Sequence, residues 1–170
     1  MIMRSGQQLL LPASPVFIGA SLLVALLLNM LGQQAWLPDV LALTLVFWTV
    51  HQPLRVGIGA AFCFGLIMDV QQAGLLGQHA LSYTALSYLG IMIHRRLLWF
   101  PVPTQALQIL PLLMAAHILG LALRLAAGDP WPAWPFWISP LLQALLWPVA
   151  SVLLLMPQRR APDPDENRPL

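Results

Sequence analysis

Read for where apolar residues run unbroken and where polar ones interrupt them, the chain divides into six apolar stretches. The first is Pro15–Leu31, ended by Gly32-Gln33-Gln34. The second is Pro38–Val50, with proline at the first helical position and a stop before Gln52-Pro53. Leu54–Val70 and Gly77–Ile93 follow, the latter stopped by His94-Arg95-Arg96. The fifth is Thr104–Ala127. The sixth opens on Ser139-Pro140, a cap followed by proline, and ends at Met156-Pro157. A helix that crosses a bilayer needs about 20 mostly apolar residues, fewer where the protein is locally thin. The pattern therefore predicts an all-α, polytopic bundle of six transmembrane helices over residues 1–157, with 158–170 as a loose tail rich in proline and charge.

Composition sharpens this. Apolar residues make up 59% of the chain and charged ones 8%, against about 25% charged in ordinary soluble domains. The basic residues are all arginine. So sparse a charge excludes a soluble enzyme and a disordered chain, and eight scattered arginines make no track for nucleic acid. The lone Cys63 excludes an internal disulfide and cysteine-based metal sites. The N-terminal stretch has Arg4 and then Gln7–Pro12 with no small-residue cleavage site, so the first span reads as retained.

The arginines orient the bundle. With six crossings, Arg4, Arg55, Arg95, Arg96, Arg159, Arg160 and Arg168 gather on one face and only Arg124 on the other. The positive-inside rule then places both termini in the cytoplasm. Trp131-Pro132-Ala133-Trp134-Pro135-Phe136-Trp137 falls on the opposite face. Its prolines bar a spanning helix, and its indoles suit the headgroup level or a partner.

Few residues are placed for chemistry. Asp39 and Asp69 each lie some fifteen residues from the turn at Pro53, about 20 Å along a helix, and so share a depth. Asp39 starts its helix, where the dipole favours an anion. Asp69 ends its own, where the dipole does not, so it needs water, a cation, a proton or a partner such as Arg124. Gly57, Ala61 and Gly65 recur every four residues and form a ridge for close helix packing, within the chain or against a partner. His117, mid-span, reads as a buried histidine bonded to a neighbouring helix. His51 and His94 read as interfacial, and His79 as the opener of the fourth span. The repeat Ala-Leu-Ser-Tyr at 80–83 and 85–88 places its copies on different helix faces. No histidine spacing fits a metal, and no nucleophile–base pair or phosphate loop occurs, so the reading is of a chain with no catalytic, metal or cofactor residues.

Leu37-Pro38-Asp39-Val40-Leu41, Arg55-Val56-Gly57-Ile58-Gly59, Gly65-Leu66-Ile67-Met68-Asp69 and Leu76-Gly77-Gln78-His79-Ala80-Leu81 follow one another in the order of the rod-shape-determining protein MreD family. Arg95-Arg96 and Leu146-Trp147-Pro148 fit as well. The chain resembles that family to about Arg160, most specifically from Trp36 to Leu97, and departs from it at Gln71-Gln72-Ala73-Gly74 and in the tail. The resemblance implies a non-catalytic inner-membrane component of the cell-elongation machinery. Its partners would be MreC, the MreB filament and the peptidoglycan synthases, and its fold would be like the substrate-binding subunits of energy-coupling-factor transporters. A rival reading is a small-molecule transport subunit with Asp39, Asp69, His117 and Arg124 around a cavity.

Overall fold

The computed structural model describes residues 13–32 and 36–158. These form six α-helices: α1 (Pro15–Leu31), α2 (Val40–His51), α3 (Ile58–Gln71), α4 (Gln78–Leu97), α5 (Val102–Ala126) and α6 (Ile138–Leu155). Two short 3-10 turns, Trp134–Trp137 and Met156–Gln158, flank α6. Among the described residues there is no strand. Of the arginines that orient the chain, Arg4, Arg159, Arg160 and Arg168 lie outside the described residues, as do Gln7–Pro12 and the tail beyond Gln158.

The element bounds follow local chemistry. Ser14-Pro15 opens α1, which closes at Gly32 with the Gly32 N–H bonded to Leu28 O. The second helix begins two residues later than the proline signal suggested, because Asp39 serves as its N-cap, with the side chain accepting from the Ala42 N–H at 2.8 Å. The third begins at Ile58, since Pro53–Gly57 is spent in the turn, and the fourth runs through Arg95 and Arg96 to Leu97. Pro111 and Pro148 sit inside α5 and α6, where each removes one backbone donor from its helix.

The core is built around α2. Every residue from Leu41 to Val50 is buried, which suits a helix that is apolar on all sides. Phe47 and Trp48 stack edge to face, Trp147 of α6 leans on Phe47, and the Trp48 indole donates to Ser21 of α1 at 2.8 Å. α2 packs on α1, α4 and α6, while α4 also packs on α3 and α5. By contrast Leu23, Val24, Leu27, Leu107, Leu145 and Val149 face outward, apolar and exposed.

Two helical segments, Val102–Ala126 and Trp134–Gln158, are long and apolar enough to cross a membrane. Pro15–Leu31, Val40–His51 and Ile58–Gln71 are apolar but shorter. A 12-residue helix such as α2 extends about 18 Å, well short of a hydrocarbon core of about 30 Å. Six helices are thus observed where six were expected, but their lengths alone do not make six spans. The Trp-Pro segment is a further refinement: Trp131 and Trp134 point outward, whereas Phe136 is buried and the 3-10 turn runs directly into α6.

Candidate functional site

One end of the bundle is polar. The C-terminal ends of α1, α3 and α5 meet there with the N-terminal ends of α2, α4 and α6, around a partly enclosed cavity of about 260 Å³. Arg55, Arg95 and Arg96 lie at the opposite helix ends; Arg124 lies at the cavity end.

Asp39 anchors the cavity wall. Its Oδ1 accepts from the Ala42 N–H and from Asn29 Nδ2, and its Oδ2 accepts from the Tyr83 hydroxyl at 2.6 Å. Asn29 returns a bond by accepting from the Val40 N–H at 2.9 Å. The first turn of α2 thus has two of its orphan donors satisfied, one by each side chain, and the same carboxylate ties α1, α2 and α4 together. Asp39 remains partly exposed and lines the cavity with Asn29 and Tyr83. Gln78, His79 and Ser82 of α4 continue the wall, and Ser139 and Gln143 of α6 complete it. Gln143 Nε2 donates to Ser139 Oγ, whose hydroxyl donates to Leu37 O.

Asp69 has a different fate from the one expected. It does not meet Arg124 and does not line the cavity. Its carboxylate is 1% exposed and turns toward the start of α4, where Oδ2 accepts from the N–H groups of Gly77 (2.8 Å) and Ala80 (3.2 Å). Oδ1 accepts from the His79 N–H (2.7 Å) and the His79 ring Nδ1–H (2.9 Å). Gly77 is the N-cap of α4 and holds φ = +102°, a conformation suited to glycine, but it has no side chain with which to cap. Asp69 supplies that cap from α3. The dipole that disfavours it at its own helix end is outweighed by the N-terminus of the next helix.

The small-residue ridge explains how it reaches. Ala61 and Gly65 precede Asp69 by two turns and one turn, on one face of α3. Both are buried, and a Cβ on Gly65 would lie 2.4 Å from Ala80 Cα and 2.6 Å from Ala80 N. The backbones of α3 and α4 are in direct contact there, so the ridge serves packing within the chain. Gly57 departs from the expectation: it is the N-cap of α3, with no atom closer than Pro53 O at 3.8 Å to a Cβ placed on it.

His117 differs from the expected buried histidine bonded to a neighbouring helix: it is half-buried, lines the cavity and bonds to the 3-10 turn. Its Nε2 lies 3.0 Å from Phe136 O and its ring stacks on Phe136 at 3.9 Å between centroids. Arg124 also lines the cavity, but pairs locally: its Nε donates to Asp129 Oδ2 at 2.9 Å, with both side chains well exposed. His51 and His94 bond to backbone carbonyls one turn back, Phe47 O and Ile91 O. The Ala-Leu-Ser-Tyr copies do face differently, since Tyr83 is buried and Tyr88 is half exposed.

The sequence reading missed Asn29, Tyr83, Gln78 and Gln143 as cavity groups. A polar residue in the last turn of an apolar helix, as Asn29 is, was the available signal. Among the described residues no three His, Cys, Asp or Glu side chains come together as a metal site would require. What the arrangement offers is recognition: hydrogen-bond donors and acceptors and one exposed ion pair around a partly enclosed space.

Comparison with known proteins gives consistent results. The family model "rod shape-determining protein MreD" matches residues 3–156. The rod shape-determining protein MreD of Haemophilus influenzae is 28% identical over 133 residues, covering 76% of this chain and 80% of that protein. No solved structure matches the chain.

Proposed function

This chain belongs to the rod shape-determining protein MreD family, and from that premise we propose that it is a non-catalytic component of the bacterial cell-elongation complex. In this reading it sits in the cytoplasmic membrane, binds MreC and helps couple peptidoglycan synthesis to the maintenance of rod shape. The observation that carries the proposal is the family match over nearly the whole chain.

Topology supports a membrane setting with six crossings and both termini in the cytoplasm. The alternation of helix ends at the cavity fits an up-and-down bundle. Within it, the short α2 is buried from Leu41 to Val50 and starts at the cavity, so its N-terminal end need not reach the outer surface. The arginine asymmetry favours a cavity on the outer face. A partner with a polar segment next to the membrane would find there the hydrogen-bonding groups of Asp39, Gln78, His117 and Arg124. Of the four residues in the transport reading, Asp39, His117 and Arg124 line the cavity and Asp69 does not, and the family match does not favour that reading. A fold like that of energy-coupling-factor subunits stays an expectation of the family resemblance.

Depletion in a rod-shaped host tests the proposal. Cells are expected to round up and to lose MreC from their elongation complexes. Cells that stay rod-shaped with MreC retained overturn it.

A further inference from the structure

At the end of the bundle away from the cavity, α4 finishes in a second hollow. His94, Arg95, Arg96, Leu98, Trp99 and Phe100 line a concave surface of about 640 Å³, within the range of about 300–1,000 Å³ found for ligand sites. Both arginines are exposed and neither takes part in an ion pair among the described residues. Trp99 is 89% exposed, and Leu98 and Phe100 also present apolar surface.

The backbone that carries these groups is held in place. Leu97 is fully buried, and the N–H groups of Leu98, Trp99 and Phe100 bond back to His94, Arg96 and Leu97 carbonyls. Gln105 of α5 donates to Phe100 O at 2.9 Å, and is itself fixed by the Trp147 indole at 3.2 Å. The backbone of the turn is preformed, so an occupant would have only side chains to order.

We propose that this turn is a seat for an anionic phospholipid. Two exposed guanidinium charges at the edge of an almost wholly apolar hollow complement the charge of a phosphate diester. Indole rings favour the headgroup level, and the exposed leucine and phenylalanine offer acyl chains a wall. A soluble anion satisfies the arginines but leaves the apolar wall bare, and an uncharged lipid does the reverse. An anionic lipid meets both demands. The inference rests on the membrane topology proposed above for the claim that this turn lies at a bilayer surface.

Native mass spectrometry of the full chain, released from micelles holding equal phosphatidylglycerol and phosphatidylcholine, tests it. Wild type should retain phosphatidylglycerol preferentially. The Arg95→Gln/Arg96→Gln variant should lose about fivefold in retention for each arginine removed. An Arg95→Lys/Arg96→Lys variant, which keeps the charges, should lose less and separates a binding defect from misfolding. Equal retention of phosphatidylcholine overturns the seat. So does an equal loss with Arg159→Gln/Arg160→Gln, which would make the effect one of diffuse charge. Displacement by inorganic phosphate would mark a soluble-anion site, and a dimer that dissociates in the Arg95/Arg96 variant would mark a second copy as occupant; each overturns the proposal. Micelles have no sides, so reporter fusions that place this turn outside the cell would sink the topology without altering these results.

Discussion

Asp39 and Asp69 are the same residue type at the same end of the bundle, and both cap the start of a helix. Their surroundings make them unlike. Asp69 is enclosed and meets three backbone N–H groups and a histidine, donors that cannot turn into acceptors except at the ring. Asp39 meets one backbone N–H, an amide and a phenol, beside a cavity. A hydroxyl can donate or accept, so part of the Asp39 shell can adapt to a changed partner. The α3–α4 corner around Asp69 is therefore a fixed joint, while the α1–α2 corner around Asp39 has slack where the proposed partner would bind.

The strongest way to break the contrast is to pry the fixed joint open. Gly65→Ala puts a methyl group 2.4 Å from Ala80 Cα, where the obstacle is backbone and cannot swing aside. Separating α3 from α4 also withdraws Asp69 from the donors it caps. We expect a loss at or beyond the upper end of the roughly 1–3 kcal/mol typical of overpacking. It should be visible as the largest fall in thermal midpoint of the purified protein, or as failure to elute as a single species. A midpoint close to wild type would show that the helices are not in backbone contact.

The contrast itself is measured by making one substitution twice. In Asp69→Asn, whichever way the amide turns, its NH2 group confronts a backbone N–H, and a buried unsatisfied donor costs about 1–3 kcal/mol. In Asp39→Asn, the remaining oxygen keeps Ala42 and Asn29, and the NH2 group faces the Tyr83 hydroxyl, which can rotate to accept. Asparagine caps a helix about as well as aspartate, so the cost should stay under about 1 kcal/mol. Thermal unfolding of the two variants side by side checks this. Equal losses would mean that the two corners are equally rigid.

Much of this was legible in the chain before the fold, and the limit has a physical basis. The bounds of α1 and the place of Asp39 at the start of α2 follow from residues within a few positions of each other. The first agrees with the reading; in the second the helix starts two residues later, Asp39 being the N-cap and not part of the first turn. The role of Asp69 depends on a glycine eight residues on that starts a helix without a side chain to cap it. Read against its own helix, Asp69 looked stranded. The ridge at Ala61 and Gly65 pointed to close packing, but only the fold says against which helix. Arg124 is the opposite case: its partner Asp129 lies five residues away, near enough in the chain to be legible without the fold.

Arg124→Gln should have the smallest effect on stability, and it sharpens the comparison by testing whether the two corners communicate. The Arg124–Asp129 pair is solvent-exposed on both sides, with side chains 33% and 48% accessible, and such pairs contribute about 0–1 kcal/mol. Its removal leaves no buried charge behind, because Asp129 can be hydrated. The thermal midpoint should therefore stay near that of wild type, while crosslinking of the proposed partner to the cavity rim should weaken. Combined with Asp69→Asn, the two losses should add, since the residues share no bonding partner. Non-additivity well above about 0.5 kcal/mol would revive the Asp69–Arg124 pair that charge and depth first suggested, and would make the fixed joint part of the cavity after all.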